Sequence, residues 1–223
     1  MFGKRDVCYS RLMECYSRAV LPPPRTREAI VRSAMDCVVA GAWDSTSLQE
    51  VRQRAGVSNG SLFHHFRTRT DLTAAVVGAA LEEHQRLLLA ELDEEAELGV
   101  TRVVRRHLRW VQDNPEVARL LLGASPEVLR RSLSTPVVDG NRRFFAALAE
   151  WLHEHGWRER VGLPVLLALW IGPAQEFSRQ WLAAEDATPL TAAGDDLAHG
   201  AWAALRPLLH GDAPPASART QRP

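Results

Sequence analysis

Two helix-start signals separated by a glycine lie between Ser47 and Phe66, and they restrict the fold more than any other feature of the chain. In the first, the Ser47 hydroxyl can accept a hydrogen bond from the Glu50 amide, while the Glu50 carboxylate accepts one from the Ser47 amide. Ser58 repeats the serine cap, and Gly56 between the two signals permits a sharp turn with positive φ. The pattern predicts two short helices joined by a tight turn, which is a helix-turn-helix.

Apolar residues fall where such a motif needs them. Val51, Val57 and Leu62 can fill the angle between the two helices, and the small Ala55 lets the helices pack closely. The second helix then begins with a short polar turn that faces outward, made of Ser58, Asn59, Gly60 and Ser61. A solvated loop could have the composition of this turn, but it would not need two caps and an apolar wedge at these spacings.

Helical periodicity continues through most of the chain. Apolar residues recur every three or four positions, as in the stripe of Ile30, Ala34 and Val38, whereas alternating β-branched runs joined by hairpin turns are missing. We therefore predict an all-α protein, with a three-helix helix-turn-helix domain over residues 25–72 and a helical bundle over residues 73–210.

Two terminal segments lack this regularity. Pro22, Pro23 and Pro24 end any helix that begins in residues 1–24, and residues 211–223 are rich in Pro, Ala, Ser and Arg. We expect both segments to be disordered tails.

The zero net charge conceals a basic N-terminal part. Residues 1–70 carry eleven basic and six acidic side chains, whereas residues 71–223 carry sixteen and twenty-one. This distribution fits a protein that binds nucleic acid through its N-terminal part, although an excess of five charges decides little by itself.

The sequence shows no sign of a membrane-spanning or secreted protein. No apolar run reaches the roughly 18–20 residues of a membrane span, and the start of the chain lacks the apolar core of a secretory signal. The odd number of cysteines shows no paired metal spacing, which fits a reducing compartment, and Cys37 falls on an apolar helical face. We expect a cytoplasmic protein without a membrane partner, and Cys37 in its core.

The residue patterns of common catalytic and metal sites are missing. His153 and His155 are two positions apart and His64 and His65 are adjacent, so on a helix neither pair can hold one ion together. No HExxH, P-loop, G-x-S-x-G or paired CxxC motif is present. We predict that the protein is not an enzyme and uses no metal or cofactor.

A specific resemblance runs from Arg25 to Val77. The segment Ala55–Phe66, followed by a basic link and Asp71-Leu72, resembles the signature of the TetR family, as do Gly41–Trp43 and Thr46-Ser47. In that family the third helix enters the major groove of DNA, and a dimer of all-helical bodies spaces two such helices. A small molecule bound in the body typically releases the DNA.

The resemblance implies two sets of contacts with double-stranded DNA. Base edges meet Asn59, Gly60 and Ser61 in the first turn of the recognition helix, and an Asn is suited to a bidentate hydrogen bond with adenine. Ser58, which caps this helix, belongs to the same DNA-binding surface. Phosphates meet the residues around that helix, namely Thr46, Ser47, His64, Arg67 and Arg69.

Other positions near this surface vary from the pattern. Phe63 stands where the family usually has Tyr, so the phosphate hydrogen bond of a phenol is absent and backbone affinity must come from elsewhere. His65 matches a position near the DNA backbone and is expected to pack partly against the domain. Arg25 and Arg27 could extend the contact surface.

The second domain resembles the family less closely, through Leu108–Pro115 and Ile171–Glu176. Pro173 should kink the helix that contains it, either as a tolerated defect or to shape an effector cavity in which Gln175 contacts the ligand. Aromatic residues at helical spacing are candidates for the cavity wall, although core or interface positions are commoner. These candidates are Trp110, Phe144, Trp151, Trp170 and Phe177.

The resemblance also implies an assembly and a function. The last two helices are expected to form the four-helix bundle of a homodimer, with backbones brought close by Gly194, Ala198, Gly200, Ala201 and Ala204. We expect a transcriptional repressor that a small apolar or aromatic effector releases from a near-palindromic operator. The alternative is a DNA-binding or partner-binding protein of the same fold without an effector.

Overall fold

The computed structural model describes residues 26–125, 127, 128, 131, 135–184 and 188–210. The predicted tails and Arg25 lie outside these residues. Within them the chain forms ten α-helices and one 3₁₀ helix, without a strand, which confirms the predicted all-α fold. The first four helices are α1 (Thr26–Val39), α2 (Leu48–Ala55), α3 (Asn59–His65) and α4 (Arg69–Leu89).

Six further α-helices follow. They are α5 (Ala96–Asp113), α6 (Pro115–Leu122), α7 (Thr135–Glu154), α8 (Leu163–Trp170), α9 (Gly172–Ala183) and α10 (Gly194–His210), with the 3₁₀ helix Leu190–Ala193 before α10. None of the helices in the described residues is long and apolar enough to cross a membrane.

The chain divides into two compact units. The N-terminal unit takes its described residues from Met1–Gly78 and Ala124–Ser132, and the C-terminal unit takes its own from Ala79–Gly123 and Leu133–Pro223. The N-terminal unit thus has a second segment, from between α6 and α7, that helical periodicity does not reveal. The boundary predicted at residue 72 stays a prediction.

The core of the N-terminal unit forms where α1 packs against α2 and α3. Ile30, Ala34 and Cys37 of α1 are fully buried, as are Val51 of α2 and Leu62 of α3. The core position predicted for Cys37 is therefore confirmed.

Not every predicted apolar position of this motif is sealed. Ala55 and Val57 are half-buried. Short helices bury a narrow stripe, so residues at its edge keep part of their surface in water.

Helix α5 lies at the centre of the C-terminal unit. It packs against α10, α9, α6 and the 3₁₀ helix, and it buries most of its inward face. Val103, His107 and Val111, which recur at helical spacing, are buried there.

The chain breaks at Ile171 rather than kinking at Pro173. Helix α8 ends with the Ile171 amide donating to the Leu167 carbonyl at 2.9 Å, and α9 starts with the Gln175 amide donating to the Ile171 carbonyl at 2.9 Å. Pro173 lies in the first turn of α9, where its missing N–H costs no helical hydrogen bond. The kink predicted within one helix is thus a junction between two.

Three of the small residues predicted to bring a partner close face inward instead. Gly194, Ala198 and Ala201 are buried within the protomer, and a Cβ at Gly194 would lie 3.9 Å from a methyl group of Leu108 on α5. They therefore let α10 approach α5. Gly200 is exposed and Ala204 half-buried.

Gly156, which follows α7, has a backbone conformation that only glycine adopts easily. Its φ is +97°, and a Cβ there would overlap the carbonyl oxygen of Leu209. We expect Gly156→Ala to lower the free energy of unfolding by about 2 kcal/mol or more, because left-handed strain and a backbone clash add.

Thermal or urea unfolding measures this loss, with Gly200→Ala as the control. A Cβ at the exposed Gly200 meets no atom within 4 Å, and Ala at a helical position gains roughly 0.5–1 kcal/mol over Gly. Equal stability of the two variants would contradict the assignment of Gly156.

Candidate DNA interface and ligand cavity

The turn between α2 and α3 has the geometry that its sequence predicts. The Ser47 amide donates to the Glu50 carboxylate at 2.6 Å, and the Glu50 amide donates to the Ser47 hydroxyl oxygen at 3.2 Å. Gly56 has φ +66°, in the left-handed region. Ser58 accepts a hydrogen bond from the Ser61 amide at 3.1 Å, which caps α3. The capping box, the glycine turn and the second cap are confirmed.

The capping box also fixes the charge of its carboxylate. Hydrogen bonds from the Ser47 amide and hydroxyl lower the pKa of Glu50 below its ordinary value. The carboxylate is therefore ionised at the start of α2, where the helix dipole favours negative charge.

Helix α3 presents its first turn to solvent. Leu62 is fully buried and anchors the helix, whereas Ser58, Asn59 and Gly60 are exposed and Ser61 is half-buried. A Cβ at Gly60 would meet no atom within 4 Å, so nothing in the unit obstructs this face. Phe63, one turn after Asn59, is 47% exposed although it is a large apolar residue.

The residues predicted to meet phosphates divide into two groups. Ser47, His64 and Arg67 are exposed. Thr46 is buried, and its hydroxyl donates to the Ala42 carbonyl at 2.7 Å. Arg69 donates to the carbonyls of Thr46 and Trp43.

Thr46 and Arg69 are thus used within the unit. The Arg69 guanidinium also lies 4.3 Å from the centre of the Trp43 ring, so the indole and two carbonyls hold it together. Since Thr46 immediately precedes the Ser47 cap, these contacts fix the start of α2. These contacts give Arg69 a positioning role within the unit, and its predicted phosphate contact stays a prediction.

The aromatic residues at the end of α3 pack among themselves. The His65 ring, half-buried, lies 5.0 Å from His64 and 6.4 Å from Phe66. The Arg27 guanidinium lies 5.4 Å from the Phe66 ring. The partial packing predicted for His65 is therefore present.

The start of α4 is tied to the second segment of the N-terminal unit. Asp71 accepts from the Thr68 amide at 3.0 Å, and its other carboxylate oxygen accepts from Arg131 at 2.6 Å. These hydrogen bonds lower the pKa of Asp71. Sequence spacing predicts the cap but not Arg131, because the partners are sixty positions apart.

We expect Arg69→Ala to lower the free energy of unfolding of the N-terminal unit by about 1.5–3 kcal/mol, since hydrogen bonds from a charged donor to buried carbonyls are lost. Arg67→Ala, at the exposed neighbour, should leave stability unchanged. Chemical unfolding of both variants decides between a positioning and a purely DNA-binding role for Arg69. Wild-type stability of Arg69→Ala would contradict the positioning role.

The C-terminal unit contains a cavity of about 510 Å³. Its apolar wall comprises Leu81, Leu88, Leu89, Leu92, Val103, Phe144, Phe145, Leu148, Pro164, Leu167, Ala168, Trp170, Ile171 and Gly172. Its polar residues are His84, Gln85, Asn141 and Gln175. None of these lining residues is Asp, Glu, Lys or Arg, and the volume lies within the range of about 300–1,000 Å³ found for small-molecule sites.

Three of the six residues predicted for a ligand site line this cavity, namely Phe144, Trp170 and Gln175. The other three do not. Trp110 packs against the His84 ring at 4.5 Å, Trp151 stacks on Trp170 at 5.7 Å, and Phe177 is 38% exposed. Helical spacing identifies apolar faces, but it does not separate a cavity wall from the layer behind it.

A buried polar chain leads away from the cavity and is not evident in the sequence. His84 Nε2 lies 3.0 Å from His107 Nδ1, and His107 Nε2 lies 3.3 Å from the Ser178 hydroxyl oxygen. On the same wall, Gln85 donates to Asn141 at 2.6 Å. All these residues belong to the C-terminal unit, on four different helices.

Burial keeps both imidazoles neutral. Desolvation, with a smaller contribution from the positive charge of Arg106, lowers the pKa of His84 to about 4. Desolvation, with contributions from His84 and Arg179, lowers the pKa of His107 to about 3.

These shifts predict a loss of stability in acid. The unfolded chain binds protons near pH 6.5 and the folded one near 3–4, so the stabilisation is complete above about pH 6.5 and is lost as the pH falls toward 4. Each proton contributes a slope of up to about 1.4 kcal/mol per pH unit. Urea unfolding between pH 7 and pH 5 measures it.

The double variant His84→Phe/His107→Leu is the control, since it lacks both titrating groups. Its unfolding free energy should vary less with pH than that of the wild-type protein. Parallel pH profiles for the two proteins would mean that other groups cause the loss.

No group of three His, Cys, Asp or Glu side chains in the part of the chain that the structure describes is arranged to hold a metal ion.

Comparisons with known proteins agree with this architecture. Residues 30–76 match the sequence model of the tetR family of bacterial regulatory proteins. An uncharacterised HTH-type transcriptional regulator of Mycobacterium tuberculosis is 26% identical over 153 residues, which cover 61% of this chain and 70% of that protein.

Solved structures share the fold at low sequence identity. The fatty acid degradation regulator FadR of Bacillus halodurans has a TM-score of 0.60 at 14% identity, over 85% of this chain and 97% of its own. FadR of Bacillus subtilis, solved in complex with stearoyl-CoA, has a TM-score of 0.58 at 13% identity, over 82% and 97%. A TetR family regulator of Marinobacter aquaeolei has a TM-score of 0.54 at 17% identity, over 80% and 94%.

A helix-turn-helix with an exposed polar first turn, followed by an all-helical unit, defines a DNA-binding transcriptional regulator. The chain belongs to the TetR family of bacterial regulators. This is a family of regulators rather than enzymes, as the sequence predicts.

Proposed function

We propose that this regulator is a repressor that binds a near-palindromic operator as a homodimer and is released by a small molecule held in the cavity of the C-terminal unit. The cavity carries the proposal. A space of about 510 Å³ with an apolar wall and a few polar groups is the usual form of a small-molecule site.

Sequence readout is assigned to the first turn of α3. Asn59 is exposed there, and Gly60 beside it leaves room for close approach to base edges. Ser58 and Ser61 flank them, and their hydroxyls can bond to bases or phosphates. An amide side chain can donate to and accept from adenine at once, which makes Asn59 the best candidate for a specific contact.

Phosphate binding is assigned to the exposed polar residues beside α3. Arg67 and His64 are exposed. Ser47 contributes at the start of α2, whereas Thr46 and Arg69 act by holding that start in place. Phe63 offers an apolar contact with a sugar or a thymine methyl group instead of a phenol hydrogen bond.

We expect Asn59→Ala to weaken binding to the preferred operator by about 1–3 kcal/mol through one base pair in each half-site, with little effect on random DNA. Arg67→Ala should weaken binding to both DNAs and reduce the salt slope by about one. In-vitro selection supplies the operator, and fluorescence anisotropy at several salt concentrations gives the affinities. Equal losses of Asn59→Ala on operator and random DNA would remove Asn59 from base readout.

A homodimer is supported by apolar residues left exposed on α8 and α9. Val165 is 55% exposed, Leu169 40% and Phe177 38%. Val165 and Leu169 lie one turn apart on the same face of α8. Exposed large apolar side chains of this kind favour a protein interface. A second copy of the chain would cover them and present two recognition helices to half-sites about 34 Å apart.

The effector is assigned to the apolar cavity by its size and lining. FadR of Bacillus subtilis, a structural neighbour, was solved with stearoyl-CoA, and an acyl chain would match the apolar wall of this cavity. The lining residues offer no cation to the phosphates of such a ligand. Shape therefore supports a small molecule with a large apolar part.

We expect compounds that raise the melting temperature to weaken operator binding as well. Gly172→Leu should abolish both effects, because Gly172 lines the cavity and a Cβ there enters open space. Gly172→Ala adds a single methyl group and is the size control. A thermal-shift screen followed by operator-binding assays measures both responses.

The alternative is a DNA-binding protein of this fold without an effector. Stabilising compounds that leave operator binding unchanged in the wild-type protein would favour that alternative. So would a Gly172→Leu variant that still responds to them.

A further inference from the structure

The hydroxyl of Ser178 sets the direction of the buried polar chain. A serine hydroxyl has one proton, and Ser178 donates it to the Ala174 carbonyl at 2.7 Å. Its oxygen must therefore accept in its 3.3 Å contact with His107 Nε2. His107 consequently carries a proton on Nε2.

The position of the proton on His107 determines which nitrogen of His84 is protonated. A neutral imidazole has one N–H, so His107 Nδ1 is an acceptor once Nε2 is the donor. His84 Nε2, 3.0 Å away, must donate to it. The remaining nitrogen of His84, Nδ1, then holds a lone pair and no proton.

This assignment of protons is unique only if both imidazole rings are neutral. Burial, with smaller contributions from neighbouring groups, lowers the pKa of His84 to about 4 and that of His107 to about 3. Near pH 7 neither ring takes a second proton. His107 Nε2 therefore stays a donor and His84 Nδ1 stays an acceptor.

The Nδ1 lone pair of His84 takes no part in the buried polar chain. Among the described residues no donor reaches Nδ1, and the only buried side-chain nitrogen or oxygen among them that lacks a hydrogen bond is Nε of Arg106. His84 Nδ1 is therefore accessible, and His84 lines the cavity. An acceptor without a donor on a residue of an apolar cavity wall favours a ligand that supplies one.

We propose that the effector is an uncharged, largely apolar molecule that donates one hydrogen bond, from a hydroxyl group, to Nδ1 of His84. The proposal rests on the cavity being the effector site. It names Ser178 as a positioning residue, which acts through His107 and is not among the residues that line the cavity. A carboxylate is disfavoured because the wall holds no cation and the acceptor repels it.

Three probes with the same ten-carbon chain test whether the ligand must be uncharged and must donate a hydrogen bond. 1-Decanol donates a hydrogen bond, decyl methyl ether only accepts, and decanoate is charged. We expect 1-decanol to bind roughly fivefold more tightly than the ether and at least tenfold more tightly than decanoate, by isothermal titration calorimetry at pH 7. 4-Hexylphenol and its methyl ether repeat the comparison for an aromatic hydroxyl.

The outcomes separate this proposal from the one on which it depends. Equal binding of 1-decanol and its ether overturns the donor rule and leaves the effector site standing. Binding of no probe overturns both. Tighter binding of decanoate overturns the uncharged effector.

Ser178→Ala tests whether Ser178 controls the protonation of His84 through His107. Without the hydroxyl acceptor, His107 can move its proton to Nδ1, and His84 then carries its proton on Nδ1 toward the cavity. We expect the preference for 1-decanol over the ether to fall to about one or to reverse, whereas a merely structural role would weaken both probes equally. An unchanged ratio overturns the relay.

A direct measurement needs no variant. In the ¹⁵N-histidine NMR spectrum of the wild-type protein at pH 7, His84 and His107 should both show the neutral form protonated on Nε2. A proton on Nδ1 of His84, or a doubly protonated ring, overturns the proposal even if Ser178→Ala does not fold.

Discussion

The helix-turn-helix depends on the hydrogen bonds that Arg69 donates to the carbonyls of Trp43 and Thr46. They fix the residue before the Ser47 cap, and with it the start of α2. The left-handed turn at Gly56 then directs α3, whose buried Leu62 leaves the polar first turn in water. A guanidinium satisfied by backbone carbonyls is thus part of the scaffold that presents the DNA-reading residues, although its charge suggests a direct phosphate contact.

The C-terminal unit combines a large apolar cavity with buried polar groups that hydrogen-bond to one another. The break at Ile171 brings Trp170, Gly172 and Gln175 to one wall. The imidazole of His84, which lines the cavity, pairs with that of His107, and His107 pairs in turn with Ser178. Buried polar groups are stable only when paired, so each contact in this chain constrains the next one.

How much the sequence predicts depends on the separation of the residues in contact. The caps and the glycine turn lie within twenty positions and follow local rules, so α2, α3 and the exposed Asn59 could be predicted. His107 meets His84 and Ser178 at separations of 23 and 71 residues, and no periodicity encodes such pairs. For the same reason Trp110 and Trp151 have the spacing of wall residues but lie behind the wall, and Arg69 resembles a DNA contact.

The buried chain has a consequence for how relatives of this protein are grouped. Ser178 does not line the cavity, yet its hydroxyl decides which way the protons of two histidines point. Two regulators with identical wall residues, one with Ser and one with Ala at this position, would offer a ligand opposite hydrogen-bonding polarity. Classifying regulators of this kind by wall residues alone would place them in one ligand class, whereas a single substitution behind the wall is enough to divide them.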